Sequence, residues 1–300
     1  MESGLDSGGD RPWTVIDVLR WTSGHFARLE IPSPRLDAEV LLAHALGCDR
    51  VRLYLDHDRP LEPDERSKYR HLVRRRAAGE PAAYLIGEKE FYGRSFKVDK
   101  RVLVPRPETE HLVDAALKVL RSGSSGSSPV VLDLCTGSGC IASSLAVSEP
   151  DIFVVAVDLC ADACELARHN AERLGVSDRV DVLEGDLFEP IRSSGLGPFQ
   201  LIVANPPYVA TGDFMELMRD VRDHEPRAAL DSGPTGLEIL LRIIAEAPEH
   251  AVPVAHVILE HGEGQGPRLV EAALAGGRYG QVEDSRDHAG LDRMLVARTL

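Results

Sequence analysis

Short apolar runs alternate with helical patterns along the second half of this 300-residue chain. This alternation constrains the fold more than any other feature of the sequence. Five runs predict buried strands, at 130–134, 153–158, 180–184, 201–204 and 254–260. Helical stretches are predicted at 141–147, 161–174 and 237–247. Strands that alternate with helices form parallel, doubly wound sheets, which bind their ligands at the carboxyl ends of the strands. We therefore expect an α/β fold.

The segment before residue 80 is predicted to be helical throughout. One amphipathic helix is predicted to end at Gly47 and another to cover Asp64–Arg76, and no strand pattern is present. β-rich segments at 83–87 and 96–104 then predict a hairpin. The predicted organisation is a small all-helical N-terminal domain over 1–80, a linking β-hairpin over 81–106 and a main domain over 107–300.

Two further segments complete this outline. Residues 279–284 and 293–297 predict a terminal antiparallel strand pair. The serine- and glycine-rich segment 122–128 predicts a flexible loop.

Composition excludes several classes of function. General DNA or RNA binders carry clustered Lys and Arg, which a net charge of −14 argues against. The triplet Arg74–Arg76 is interpreted as the solvated face of a helix. No apolar run is long enough for a transmembrane helix, and the acidic segment Met1–Asp10 lacks the features of a signal peptide. Five cysteines without Cys-x-x-Cys spacing fit reduced thiols, and scattered histidines predict no metal site. We expect a cytoplasmic protein without membrane attachment.

Polar segments follow the first three strands of the alternation. The first strand leads into a glycine loop that opens a helix, where glycines permit close approach of a ligand and the helix terminus adds amide donors. The loop consists of Cys135, Thr136, Gly137, Ser138 and Gly139. Asp158 ends the second strand, where an acid can bind the hydroxyls of a ribose, although it can also serve as a helix N-cap. After the third strand, Asp186 suits an adenine amino group, and Leu187 and Phe188 suit the face of the base.

The fourth strand ends in Asn205-Pro206-Pro207-Tyr208. Its two prolines lock φ and remove two backbone N–H donors. The segment therefore offers an amide side chain, carbonyl oxygens and an aromatic ring. This set suits a planar NH₂ group, since it provides acceptors for two hydrogens and a flat surface for the face. The alternative is a proline turn that only ends a strand.

Together these segments resemble the Rossmann-like methyltransferases that use S-adenosylmethionine (SAM), and in particular those that methylate the adenine amino group of DNA or a glutamine amide. Further motifs, in the same order, resemble the HemK/PrmC family of release factor N5-glutamine methyltransferases. The resemblance extends from about residue 15 to the C-terminus, and its motifs are at 35–42, 79–87, 90–93, 104–110 and 259–262.

The resemblance implies a role for each segment. The loop Cys135–Gly139 would bind SAM, with further contacts from Asp158, Asp186, Leu187 and Asn205. The implied substrate is a glutamine of a peptide chain release factor, and the helical domain is its binding module. No nucleic acid and no metal take part.

The resemblance also assigns the chemistry to the Asn-Pro-Pro-Tyr segment. The Asn205 side-chain oxygen and the Pro206 carbonyl would accept the two amide hydrogens, and Tyr208 would pack on the amide plane. Pro207 completes the substrate clamp. Cys135 stands where the family often has glycine, and Leu187 where some members have Trp, so either departure is expected to weaken SAM affinity.

Two alternatives remain open at this point. An adenine-N6 DNA methyltransferase would require a basic cleft and a target-recognition domain. An adaptor that binds SAM without turnover is the other alternative, and the intact Asn205 and Tyr208 argue against it.

Overall fold

The computed structural model describes residues 12–122, 128–286, 290 and 292–300. The chain forms two compact units. The first contains residues up to Gly87 together with Arg219–His224, and the second contains Glu88–Met218 and Glu225–Leu300. The segment 1–10 and most of the predicted loop at 122–128 lie outside the described residues. Within the described ranges, no helix is both long and apolar enough to cross a membrane.

The first unit is built from helices. They are Val15–Arg28, Pro34–Leu46, Arg50–Leu55, Pro63–Ala77, Ala82–Ile86 and Arg219–His224. The predicted helix that ends at Gly47 is confirmed, and Gly47 closes it in the left-handed conformation with φ 64°. The helix predicted over 64–76 is confirmed as Pro63–Ala77. Both pack on a core that includes Phe26 and Tyr69.

Arg76 corrects one sequence interpretation in this unit. Its side chain is 5% exposed, with Nε 2.7 Å from Asp37 Oδ2 and Nη2 3.1 Å from Asp220 Oδ2. The prediction that the triplet Arg74–Arg76 is a solvated face is therefore wrong for Arg76. Two carboxylates satisfy its buried guanidinium, and they tie the helix Arg219–His224 to the helices before residue 80.

The hairpin exists, but its predicted position is wrong. Residues predicted as its first strand form the helix Ala82–Ile86, which Gly87 ends at φ 78°. The strands are instead β1, Glu88–Phe91, and β2, Arg94–Lys97. Tyr92 and Gly93, at φ 50° and 67°, form the two-residue turn between them. Positive φ at both turn residues matches the twist of paired strands.

The second unit contains a central sheet with seven strands among the described residues. In chain order, the strands after the hairpin are β3 Val130–Leu134, β4 Phe153–Asp158, β5 Val180–Glu184, β6 Phe199–Ala204, β7 Val209–Ala210, β8 Asp231–Gly233, β9 Ala251–Glu260, β10 Tyr279–Arg286 and β11 Asp292–Thr299. The order across the sheet is β10-β11-β9-β6-β3-β4-β5. Strands β5, β4, β3, β6 and β9 are parallel, and β11 and β10 add the predicted antiparallel pair. Strands β7 and β8 form a separate parallel pair that was not predicted.

Helices cover both faces of this sheet. They are Glu110–Ser122, Cys140–Ser148, Ala161–Arg173, Glu189–Ser194, Glu238–His250 and Gly266–Ala275. One apolar core includes Leu117 and Leu145, and the other includes Ile243 and Leu269. The predicted doubly wound α/β fold is confirmed.

The register of the parallel strands brings their carboxyl ends to one level. Leu134 is aligned with Val157 on one side and with Ala204 on the other. Ala204 is aligned in turn with Leu259. The residues that come immediately after this row are Cys135, Asp158, Asn205 and Glu260. All four therefore lie along one edge of the sheet.

Asn170, on the helix Ala161–Arg173, fastens the glycine loop to the hairpin. Its side chain is 1% exposed. Its Oδ1 accepts from Lys97 N at 2.8 Å, and its Nδ2 donates to Lys97 O at 3.0 Å and to Ser138 O at 2.8 Å. One buried amide therefore satisfies three backbone groups from two distant segments.

Asn170→Ala leaves these three backbone groups without partners, so we expect the free energy of unfolding to fall by about 2–4 kcal/mol. Chemical denaturation followed by circular dichroism measures this change. His169→Ala, on the exposed side of the same helix, is the control and should stay within about 0.5 kcal/mol of the parent. Equal losses for both variants would contradict the fastening role of Asn170.

Candidate functional site

The glycine loop after β3 is built from residues in the left-handed region. Cys135, Gly137 and Gly139 have φ values of 59°, 54° and 74°. A Cβ on Gly139 would lie 3.0 Å from Ala167 Cβ and 3.2 Å from its Cα, whereas a Cβ on Gly137 would have no atom within 4 Å. The loop is therefore pressed on a helix at Gly139 and has open space at Gly137. Cys135 adopts a conformation that glycine reaches with less strain, which explains why glycine suits this position.

Asp133 lies below the loop and was not among the predicted site residues. It is fully buried, and its Oδ2 accepts from Thr136 Oγ1 at 2.6 Å and from Ala142 N at 3.1 Å. Its Oδ1 has no partner among the described residues. Burial raises the pKa of this carboxyl to about 7. The loop thus rests on an acid whose negative charge is poorly solvated.

Asp158 organises the loop from the neighbouring strand. Its Oδ2 accepts from Gly137 N at 2.8 Å and its Oδ1 accepts from Cys160 N at 3.0 Å. Burial raises the pKa of Asp158, and these backbone donors oppose that effect. Each carboxylate oxygen keeps a further lone pair, so the group can still accept from the hydroxyls of a ligand. The helix Ala161–Arg173 has Cys160 as its N-cap, without a side-chain cap hydrogen bond, so the alternative prediction that Asp158 is the N-cap is wrong.

Asp186, just after β5, is a third acid of this edge, and its partner Arg242 was not predicted. Asp186 pairs with Arg242, whose Nη2 and Nη1 lie 2.8 Å and 3.2 Å from the two carboxylate oxygens. Leu187 has φ 48° and is 5% exposed. Phe188 has no exposed surface and stacks on His250 with 4.8 Å between centroids, so its ring is not available to cover a base. No motif pointed to Arg242, because it lies on a helix far along the chain.

Three acids of this edge lie close enough to Cys135 to act on its thiol, and Arg242 opposes their effect. Burial, followed by the charges of Asp158, Asp133 and Asp186, raises the pKa of the Cys135 thiol well above its ordinary value. Acids beside a loop that has open space at Gly137 suit a positively charged nucleoside such as SAM. Within the described residues, no group of three or more His, Cys, Asp or Glu side chains could hold a metal ion.

Asn205 follows β6 with a defined orientation. Its Nδ2 donates to Thr109 Oγ1 at 2.9 Å. Because the two heteroatoms of an amide point in opposite directions, this bond turns the Asn205 Oδ1 away from Thr109. Thr109 is 2% exposed. The side chain at the end of β6 therefore presents an acceptor to a ligand and keeps its donor for the protein.

Glu260, at the end of β9, lies behind this pair. Only 6% of Glu260 is exposed to solvent. Burial raises the pKa of Glu260 to about 7; the Glu108 charge acts in the same direction, and Arg293 opposes it. Among the described residues, Oε2 has no hydrogen-bond partner.

Tyr208 is held through its backbone. Its carbonyl accepts from Gln265 Nε2 at 2.9 Å, and the same amide donates to Gly236 O at 3.2 Å and accepts from Gly262 N at 2.8 Å. Burial raises the pKa of the Tyr208 phenol to about 12, so its ring is neutral at pH 7. Gln265 lies in the glycine-rich turn between β9 and the helix Gly266–Ala275, and its contact with Tyr208 was not predicted.

Three residues of the motif at 104–110 form hydrogen bonds or ion pairs with other segments of the second unit. Arg106 Nη2 lies 2.7 Å from Glu225 Oε1, and Glu110 Oε1 accepts from Tyr92 N at 2.8 Å. Between them, Thr109 contacts Asn205. Pro206 is buried, whereas Pro207 and Tyr208 are partly exposed. The structure thus places the predicted amide clamp beside this motif.

Comparison with known proteins gives consistent matches. The PrmC N-terminal domain model matches residues 17–87, and the methyltransferase small domain model matches residues 110–227. The chain is 43% identical to the release factor glutamine methyltransferase of Rhodopirellula baltica, over 97% of this chain and 98% of that protein. It is 41% identical to the protein of the same name from Chlorobaculum tepidum, over 95% and 97% respectively.

Solved structures share the fold at low identity. The hMettl16 catalytic domain in complex with MAT2A 3′UTR hairpin 6 superposes with a TM-score of 0.56 at 15% identity, over 76% of this chain and 81% of that one. The human methyltransferase 10 domain containing protein gives a TM-score of 0.51 at 16% identity, over 69% and 89%. These similarities describe the architecture of the sheet and its helices.

Gly139→Ala should destabilise the protein more than Gly137→Ala. Both variants put a side chain in the left-handed region, which costs about 1–2 kcal/mol. Only Gly139→Ala also pushes on Ala167, so we expect a total loss of about 2–4 kcal/mol in unfolding free energy. Urea denaturation of the two variants and the parent measures the difference. Indistinguishable variants would show that the loop is not pressed on the helix.

Proposed function

The chain belongs to the family of release factor glutamine methyltransferases, and we propose that it transfers a methyl group from SAM to the side-chain amide nitrogen (N5) of a glutamine in peptide chain release factors. The observation that carries this proposal is the orientation of Asn205. Its Nδ2 is committed to Thr109, which leaves Oδ1 as an acceptor for an NH₂ group.

The nitrogen of an amide is a poor nucleophile, because its lone pair is delocalised into the carbonyl. In the proposed reaction, the Asn205 Oδ1 and the Pro206 carbonyl accept the two hydrogens of the glutamine amide. Tyr208 packs on the plane of that amide, and Pro207 completes the clamp. These contacts direct the lone pair toward the methyl donor and stabilise positive charge on the nitrogen, so positioning and electrostatics supply most of the rate. The nitrogen–methyl bond forms as the methyl–sulfur bond breaks, which leaves a neutral thioether, and the nitrogen then loses one of its two hydrogens as a proton.

SAM would supply an electrophilic methyl group on a positively charged sulfur. We propose that it is held by the loop Cys135–Gly139, by Asp158 and by Asp186, with Leu187 against the adenine and Asn205 beside the methyl donor. For Asp186, binding requires that the carboxylate share its hydrogen-bonding capacity between Arg242 and the ligand. The acids around Cys135 favour a cation in this pocket.

The remaining assignments follow from the proposed substrate. We propose that the helical domain at 1–80 binds the release factor, that 81–106 links it to the main domain, and that 107–300 carries out the transfer. A net charge of −14 disfavours docking on phosphates, so we propose no nucleic-acid partner and no metal. Release factors act during translation, so we propose that the reaction takes place in the cytoplasm.

Asn205→Ala should lower the rate of methyl transfer by roughly 10²–10³-fold, the usual loss for one preorganised transition-state contact. Single-turnover transfer from labelled SAM to a release factor, at saturating SAM, measures this rate. SAM affinity should fall much less, because most of its proposed contacts lie on other strands. Near-native turnover would show that Asn205 is only a turn residue. Faster labelling of adenine in duplex DNA than of the release factor would overturn the glutamine assignment.

Asp158→Ala should weaken SAM binding by roughly 10–100-fold, because it removes charge-assisted hydrogen bonds to the ribose. Isothermal titration calorimetry measures the dissociation constant. Asp178→Ala is the matched control, since Asp178 is an acid with 75% of its side chain exposed and no predicted role in the site. An unchanged Kd for the Asp158 variant would remove this residue from the cofactor site.

A further inference from the structure

A buried histidine and an aspartate lie next to the turn that holds Tyr208. His261 follows β9 and has no exposed surface, and its Nε2 lies 3.1 Å from Asp284 Oδ1 on β10. On the other side of the ring, Nδ1 lies 2.8 Å from Gly262 O. A carbonyl and an ionised carboxylate only accept hydrogen bonds, so both contacts form when the imidazole carries a hydrogen on each nitrogen. The carboxylate then balances the positive charge of the buried ring.

The position of the Asp284 carboxylate explains why residue 266 is glycine. A Cβ on Gly266 would lie 1.6 Å from Asp284 Oδ2 and 2.3 Å from its Cγ, which leaves no room for a side chain. Gly266 does not adopt a positive φ, so the close approach of the carboxylate, and not the backbone conformation, requires glycine here. Gly266 also begins the helix Gly266–Ala275, whose amino terminus favours a negative charge. The carboxylate therefore fits between His261 and the start of this helix.

The Gly262 carbonyl joins His261 to Gln265. It accepts from His261 Nδ1 at 2.8 Å and from Gln265 N at 3.2 Å, so one oxygen binds both residues. The Gln265 side chain accepts in turn from Gly262 N at 2.8 Å and donates to Tyr208 O at 2.9 Å. A displacement of the His261 ring would therefore disturb the turn 262–265 and the amide that holds Tyr208.

Tyr208 depends on this turn for the position of its ring as well as of its carbonyl. A Cβ on Gly262 would lie 3.3 Å from Tyr208 Cδ2, so the ring packs against the Gly262 backbone. A Cβ on Gly236 would lie 2.7 Å from Tyr208 O, which places a second glycine against the same residue. A shift of the turn therefore moves the ring that packs on the glutamine amide in the proposed reaction.

We propose that His261 and Asp284 are positioning residues that hold the turn 262–265, and through Gln265 the ring of Tyr208, in the geometry that the amide clamp requires. This inference rests on the proposed function and identifies what orients the aromatic side of its clamp. Neither residue touches the substrate in this scheme, since each acts through Gln265 and Tyr208. Strand β10, which carries no residue of the clamp, thereby supports it.

Fluorine nuclear magnetic resonance tests the position of Tyr208 without a substrate. The full chain is labelled with 3-fluorotyrosine, and Tyr208→Phe identifies the Tyr208 signal among those of the six tyrosines. We expect Asp284→Ala to shift this signal, because His261 loses its partner. The signal of Tyr54, identified in the same way, should stay constant, because Tyr54 belongs to the other unit.

Glu283→Ala is the matched control for this experiment. Glu283 is an exposed acid on the same strand as Asp284, so its removal should leave the Tyr208 signal unchanged. A Tyr208 signal that Asp284→Ala does not shift would overturn the proposal, whatever the enzyme methylates. A shift of equal size in Glu283→Ala would also overturn it.

Kinetics supply the second test. Asp284→Ala should lower kcat roughly tenfold while the Kd for SAM stays constant, because the loss concerns the clamp and not the cofactor contacts. Asp284→Asn should recover most of this loss. Its NH₂ group can donate to an Nε2 that carries no hydrogen, while Nδ1 still donates to Gly262 O. An Asp284→Asn variant as slow as Asp284→Ala would contradict the positioning role.

Gly266→Ala disturbs the same pair from the helix side. Its methyl group would occupy the place of the Asp284 carboxylate, so kcat should fall about as much as in Asp284→Ala. In the double variant, the three atoms nearest to the new methyl group are absent, so kcat should equal that of Asp284→Ala alone. Additive losses would disprove the coupling. Gly276→Ala, where a Cβ has no atom closer than 3.7 Å, is the control at the other end of the helix.

The proposed function and the positioning role fail in different ways. Circular dichroism shows which variants are folded, and where Asp284→Ala is not, Gly266→Ala takes its place in both tests. A parent enzyme whose Tyr208 signal responds to Asp284→Ala, but which transfers no methyl group to a release factor, would disprove the proposed function alone. An active parent whose kcat and Tyr208 signal survive Asp284→Ala would disprove the positioning role alone.

Discussion

Parallel pairing of the central strands is the constraint on which the site depends. Because β3, β4, β6 and β9 are in register, one residue from each strand reaches the same edge at the same height. Four side chains from segments separated by up to 125 positions in the sequence, from Cys135 to Glu260, meet there without any local motif joining them. The loops along this edge need glycines where the backbone turns, and their buried polar groups need hydrogen-bond partners. Asp158, Asn205 and Gln265 provide such hydrogen bonds.

The amino-acid sequence predicted most strands of the central sheet but only part of the candidate site. Strands 130–134, 153–158 and 180–184 were predicted with the bounds that the structure has. A short apolar run that lies between helical patterns is too short for a buried helix and is therefore best explained as a buried strand. The segment at 83–87 was misassigned because five apolar residues fit one helical turn as well as a strand. The contacts of Thr109 with Asn205 and of Arg242 with Asp186 span 96 and 56 positions. Periodicity and motif spacing are local, so they could not reveal either contact.

The buried acids along this edge make the stability of the fold depend on pH. Asp133, Asp158 and Glu260 all have pKa values raised mainly by burial. A carboxyl whose pKa is higher in the folded state than in the unfolded state stabilises the fold below its unfolded pKa, and this contribution is lost as the pH rises through its folded value. For Asp133 and Glu260 that window ends near pH 7. At higher pH this edge carries poorly solvated negative charge, which a cationic ligand would relieve. Binding of the proposed cofactor would therefore stabilise the fold more at high pH than at low pH.

The proline that follows Asn205 has a consequence for the lifetime of the protein. Asparagine side chains age to aspartate when the backbone nitrogen of the next residue attacks the side-chain carbonyl and closes a succinimide ring. Pro206 has no hydrogen on that nitrogen, so the ring cannot form by this route. An aspartate at position 205 would place a second carboxylate against Glu260 and would lose the donor to Thr109. The proline of the proposed clamp therefore also protects the Asn205 amide from the commonest spontaneous damage to asparagine.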